Sequence, residues 1–171
     1  VPVNAQNIII GPCSSFQVDG QDIGATSGGV EIQIQDKYTD IQIDQYIGIV
    51  ARGLTDRTMT VKTQLAEATL QNLQIAWNQP TSPTTDAQSG AETLAIGAQP
   101  KFQYHTLTFV GPGPNGKTRT FTVNRATAMA SGSYTVAKDK PAYVEVTFEC
   151  LPDFTQPSGQ EFGTVSEVAA S

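Results

Sequence analysis

The chain has 171 residues, 39% of them hydrophobic and only 15% charged, with a formal net charge of −6 and an isoelectric point near 4.6. That length suits one domain with a sizeable core and is short for two. The acidic balance excludes nucleic-acid binding through phosphate neutralisation, which needs clustered Lys and Arg. One histidine and two distant cysteines, Cys13 and Cys150, exclude a zinc site of ordinary spacing.

No run approaches the roughly 18 apolar residues of a membrane-spanning helix, and Ile8-Ile9-Ile10 is too short for a signal-peptide core. The expected compartment is therefore the cytosol, with both cysteines kept as thiols. No cofactor, metal or membrane partner is expected.

Residues 1–13, with Pro2, Gly11 and Pro12 around the isoleucine triplet, read as an N-terminal arm. The main domain is expected over 14–155. It opens with Phe16 to Ile23, where Asp19-Gly20 between alternating residues signals a tight hairpin. Ala25 to Gly29 reads as a flexible join. Two runs of strict alternation follow, Val30 to Gln35 and Asp40 to Asp44, which put isoleucines on one side and acids or amides on the other. Asp36 to Thr39 is read as the turn between them, and the polar side as anionic and free of bases. Ile47 to Leu54 is strand-like, with Gly48 and Gly53 as candidate bulges. Thr55-Asp56 is expected to turn the chain into a basic strand, Arg57 to Thr63.

Helical periodicity from Leu65 to Trp77 predicts one helix over about 64–77, with Thr63 as its N-cap. Residues 78–91 are polar and aperiodic, a long loop of the kind that is usually functional or disordered. Strands resume at Thr93 to Ile96 and Lys101 to Val110, and Asn115-Gly116 signals a second hairpin into Arg119 to Val123. Gly132 to Val136 and Ala142 to Cys150 complete the strands. The Gly/Ser/Ala-rich stretch 156–171 reads as a flexible tail. About eight to ten short strands and one helix predict a mainly β fold, a β-sandwich or partly open barrel with one flanking helix.

Catalytic constellations are absent from the pattern. His105 alternates with strand residues and has no nucleophile elbow beside it. Glu31, Asp40, Asp44, Glu145 and Glu149 could supply paired carboxylates, but the acidic strands carry Gln and Ile where a sugar-processing cleft wants aromatic platforms. No catalytic residue is assigned, and the chain is expected not to be an enzyme.

Several elements in the first half form a recognisable series. They are Val18-Asp19-Gly20 with Asp22-Ile23-Gly24, Gly28-Gly29-Val30, Asp44-Gln45, Arg57 with Thr60-Val61-Lys62, and Leu65-Ala66-Glu67-Ala68-Thr69-Leu70-Gln71-Asn72-Leu73. In order and spacing this series resembles the tail tube proteins of long-tailed bacteriophages. Beyond Asn78 only the strand pattern agrees.

The resemblance implies hexameric rings stacked into a tube, assembled in the host cytoplasm and incorporated in the virion tail. The partners it implies are further copies of the chain, other tail proteins at the tube ends, and genomic DNA passing through the lumen without specific binding. Twenty-four strands tilted by ~45° would enclose a bore of roughly 50 Å at the backbone. Glu31, Gln33, Gln35, Asp40, Gln42 and Asp44 are expected to line it, with Glu145 and Glu149 as second choices. Pro80, Pro83, Asp86, Pro114 and Asn115 are expected at contacts between rings. Arg57 or Lys62 is expected to pair with Glu67. A contractile-tail or type VI-like secretion tube fits the same residues, and a carbohydrate-binding or hydrolytic β-sandwich is the reading from a different class.

Overall fold

The structure, a computed structural model, describes residues 2–98, 101–130 and 133–169. Val1, Gly132, Ala170 and Ser171, which fall in the expected arm, strand and tail, lie outside the described residues. Among those described, the elements in chain order are β1 (Ser15–Val18), β2 (Gln21–Asp22), β3 (Thr26–Gln42), β4 (Ile49–Leu65), α1 (Leu70–Ala76), β5 (Thr84–Thr85), β6 (Glu92–Thr93), β7 (His105–Pro112), β8 (Thr118–Met129), β9 (Val144–Cys150) and β10 (Gly163–Val168).

One antiparallel sheet dominates, in the order β2-β1-β7-β8-β9-β4-β3, with β10 also on β8. The fold is mainly β with a single helix, as expected, but the sheet is open, because its end strands β2 and β3 do not pair. β8 is the shared element. Its first half, Thr118–Val123, pairs with both β7 and β10, and its last four residues, Ala126–Met129, pair with β9. The sheet bends there and folds its apolar side inward. Phe16 of β1 stacks on Phe109 of β7 at 5.4 Å and on Phe148 of β9 at 6.2 Å, so the two halves meet through aromatic rings.

Strict alternation explains which side is buried. Val144, Val146, Phe148 and Cys150 are buried while Tyr143, Glu145, Thr147 and Glu149 are only half-buried. In the same way Val61, Thr63 and Leu65 of β4 point inward. Both predicted tight hairpins are present: Asp19 and Gly20 take φ of 53° and 79°, and Asn115 and Gly116 take 55° and 73°. These left-handed values are the ones that Asp, Asn and Gly tolerate in such turns.

Several expectations are corrected. The turn expected at Asp36 to Thr39 does not exist: β3 runs unbroken through it, and the chain reverses only over 43–48, where Gly48 takes φ 112°. Nor does Thr55-Asp56 turn, since β4 is a single 17-residue strand. Gly28 and Gly29, read as a join, form a bulge inside β3 between Ser27 and Val30.

The helix is shorter than its periodicity suggested. Leu65 is fully buried and paired with Val144, so β4 takes the residues with which the helix was expected to begin. Thr69, not Thr63, caps it by accepting the Asn72 amide at 3.2 Å, while the Thr63 hydroxyl donates to the Gly29 carbonyl. Asn72 is buried and donates to the carbonyls of Ile23 and Glu67, tying the helix to the β2–β3 connection.

Another correction concerns the expected tail, where Gly163 to Val168 form β10 and pair antiparallel with Thr118 to Val123 of β8. The long loop holds the two-residue strand β5, which pairs with β6 just beyond the loop. Lys101 to Tyr104 stay outside β7, and of the strand expected over 132–136 only Tyr134 bridges, to Val144.

Phe148 is fully buried where the two halves of the sheet meet. Replacing it with alanine is expected to lower unfolding free energy by about 3–5 kcal/mol, read as a fall in the urea midpoint at unchanged slope.

Candidate functional site: a polar sheet face and a projecting hairpin

Register builds a continuous polar face on the outer side of β3, β4 and β9. Glu31 stands opposite Lys62, Gln33 opposite Thr60 and Gln35 opposite Thr58. On the other side of β4, Lys62 meets Thr147, Thr60 meets Glu149 and Gln64 meets Glu145, whose carboxylate accepts the Gln64 amide at 3.0 Å. Directly opposed residues share a face, so Glu31, Gln33 and Gln35 lie together with Glu145 and Glu149. The face holds three carboxylates against one ammonium, the rest being amides and hydroxyls. It is therefore anionic but not free of bases, because β4 brings Lys62 beside Glu31.

Asp40, Gln42 and Asp44 sit elsewhere. The register slips twice in the distal ladder, between Lys37 and Tyr38 and between Ile41 and Gln42, and each time the extra residue, Thr55 or Val50, is on β4. β3 therefore keeps its own alternation, and Asp40 and Gln42 fall on the ribbon face that carries Val30 and Ile32. Ile41, expected on the core side, falls on the other. Asp44 lies in the turn.

The ribbon itself is the second feature. β9 accompanies β4 only from Met59 to Leu65, so Ile49–Thr58 have β3 as their sole partner strand. Ten residues of strand project roughly 33 Å past the sheet. Ion pairs brace this extension. Arg57 donates Nε to Asp36 Oδ1 at 2.6 Å and Nη2 to Oδ2 at 2.7 Å, a two-pronged pair across the strands. Arg52 grips Asp40 at 2.5 and 3.2 Å and lies 4.3 Å over the Tyr38 ring. Lys37 approaches Asp56 at 3.9 Å. Arg57 thus pairs with Asp36 rather than Glu67, whose carboxylate accepts the Ala25 amide.

Between Ile34 and Leu54 nine large apolar side chains stand exposed, among them Tyr38, Ile41, Ile47 and Val50. Single exposed apolar residues are ordinary on any surface; nine on one projecting ribbon make an apolar surface that stands out from the rest.

The residues expected at ring contacts are scattered. Asp86 shapes its own turn, its carboxylate accepting the Gln88 amide and the Ser89 hydroxyl, and these bonds hold it below the usual carboxylate range. Pro80 is exposed and Pro83 half-buried in the same loop. Pro114 and Asn115 form the β7–β8 turn, where the Asn115 amide reaches Asn7 of the arm at 3.5 Å. His105 pairs its Nδ1 with Asp19 at 2.7 Å, and no hydroxyl or thiol among the described residues bonds to its ring. Also among them, no group of three or more His, Cys, Asp or Glu side chains could hold a metal, and no helix is long and apolar enough to cross a membrane.

Neither a protein-family profile nor a curated protein sequence matches the chain.

Arg57 beside Asp36 holds that carboxyl below its ordinary 3.8. A lowered value means that the pair's contribution is complete above 3.8 and disappears only as pH falls through the still lower folded value. Arg57→Gln is expected to return the Asp36 midpoint to about 3.8 in a carboxyl NMR titration.

Proposed function

We propose that the chain is the structural subunit of a phage-type tail tube, forming stacked rings whose polar bore conducts DNA. The observation that carries this reading is the hairpin: a braced, apolar ribbon exposed in the monomer is a fixture for assembly with other protein. The open sheet adds to it. β3 presents an unpaired edge along its 17 residues, and β2 ends the other side, so copies can continue the sheet head to tail and cover the edges that otherwise invite aggregation.

The bore is assigned to the outer face of β3, β4 and β9. DNA carries a negative charge every ~1.7 Å of its axis and adheres to clustered Lys and Arg. A wall of Gln, Thr and Glu with Lys62 held opposite Glu31 gives it no such cluster. At physiological salt repulsion reaches ~8 Å, so the carboxylates act when the duplex nears the wall and the amides merely wet it. Glu31, Gln33, Gln35, Glu145 and Glu149 are the lumen residues in this arrangement. Asp40 and Gln42, on the other face of the ribbon, belong to contacts between subunits. Other tail proteins would engage the ends of the tube, and the assembled protein would reside in the virion tail.

Electron microscopy of the purified protein at tens of micromolar is expected to show rings or tubes; a strict monomer by light scattering overturns the proposal. Within an assembled tail, Gln33→Lys is expected to slow or arrest DNA ejection, whereas Gln42→Lys leaves ejection unchanged and disturbs assembly instead. Equal ejection defects from the two substitutions would overturn the division of faces.

A further inference from the structure

The sheet leaves a cleft of about 610 Å³ between the root of the hairpin and β10. Ile34, Leu54, Phe121, Phe154, Phe162 and Val165 give it an apolar lining. Ile34, Leu54, Phe154 and Val165 remain more than half exposed there, so the sheet's inward side is unfilled at this point. Two strands bordering it lack a neighbour: β10 pairs with β8 alone, and β4 before Met59 pairs with β3 alone. The charged groups of the lining are already partnered, Arg57 by Asp36, Asp56 by Lys37, and the Glu161 carboxylate by the Gly159 amide. A largely apolar slot whose few charges are already partnered, bordered by free strand edges, selects an extended, uncharged, β-branched segment that can add as a strand.

We propose that this cleft receives the arm segment Ile8 to Gly11 of a second copy of the chain, added alongside β10. The proposal rests on the self-assembly reading above and specifies the contact. Residues 1–18 contain no Asp, Glu, Lys, Arg or His, so the arm brings no charged side chain into an apolar slot whose own charges are already partnered. Ile8 is already extended, with φ −85° and ψ 117°, and Ile8 and Ile10, which alternation puts on one side, are 61% and 92% exposed. The arm of each copy lies elsewhere, against Gly111, Pro112 and Thr118, anchored where the Ser14 amide donates to Val110. The hairpin tip is the other apolar projection, but it would carry Asp40, Asp44 and Arg52 into a slot that offers charges no new partner. Donor and acceptor are different surfaces, so each copy gives one arm and receives one, and the contact propagates head to tail.

Two full-length preparations test this, both carrying Cys13→Ser, one with Ile10→Cys and the other with Val165→Cys. Cys150 is buried, its thiol pushed up to about 12, and stays out of the reaction. Mild oxidation of the mixture is expected to give at least ten times more disulfide-linked dimer than either preparation alone. Placing both cysteines in one chain is expected to give linked oligomers; a cross-link confined to the monomer would overturn the proposal. A paired Ile8→Asp and Ile10→Asp variant is expected to lose at least tenfold of its assembled fraction by sedimentation. Unchanged assembly of that variant would remove the arm contact and leave the tube reading intact, whereas a wild-type chain that never assembles removes both.

Discussion

The register of β3 against β4 governs the rest of the molecule. Fifteen paired positions run from Thr26–Leu65 to Gln42–Ile49, and a slip of one residue would exchange the two faces of the ribbon. In the observed register Ile32 meets Val61 inside and Glu31 meets Lys62 outside. The same pairing delivers Arg57 to Asp36 and Arg52 to Asp40, so the distal ladder has charge-assisted bonds where a third strand would otherwise hold it. Isolated two-stranded ribbons are marginal in water. This one persists because its root is sheet and its extension is clamped.

Much of that arrangement is legible in the sequence, and what is not has identifiable physical causes. Period-two alternation placed Val30 and Ile32 inside and Glu31 and Gln33 outside, and Asp19-Gly20 and Asn115-Gly116 located their turns, because both signals are local. The break in alternation between Gln35 and Asp40 is local too, and it misleads. A change in which face carries the isoleucines looks like a turn; here it is one long strand whose two faces exchange character. The residues that accommodate the slips, Thr55 and Val50, are on the partner strand and leave no mark on β3. Leu65 illustrates the converse problem. It fits a helical face as well as a strand, and only its pairing with Val144, some eighty residues away, decides between them. β10 was hidden for a similar reason: Gly163 to Val168 carry no strict alternation, and only pairing with Thr118–Val123, some forty residues earlier, makes them a strand.

The candidate site divides along the same line. The outer face was half visible, through Glu31, Gln33 and Gln35 on one strand and Glu145 and Glu149 on another, but which strands are neighbours is a tertiary fact. Lys62 was read as part of a separate basic strand, and its position opposite Glu31 changes the face from purely acidic to mildly so. The exposed apolar surface was invisible, since Ile41, Ile43 and Ile47 look like core residues wherever alternation is the only guide. Their exposure follows from geometry: a ribbon that outruns its sheet has no layer to pack against.

An open sheet is consistent with this design. Closing β10 onto the hairpin would satisfy both free edges and bury Ile34, Leu54 and Val165 within one chain. Such closure would also leave nothing for a neighbour to complete. Backbone N–H and C=O groups along β3 and β10 are satisfied by water in a single copy and by strands in an assembly. The difference between those two states is then mostly apolar area removed from water, a driving force without direction. In the proposed assembly direction would come from the strand edges and the paired charges, which would let a neighbour add in one register and hold the polar face to one side. The root of the ribbon would thus set what the inner surface of that assembly looks like, and its tip and edges would set how copies meet.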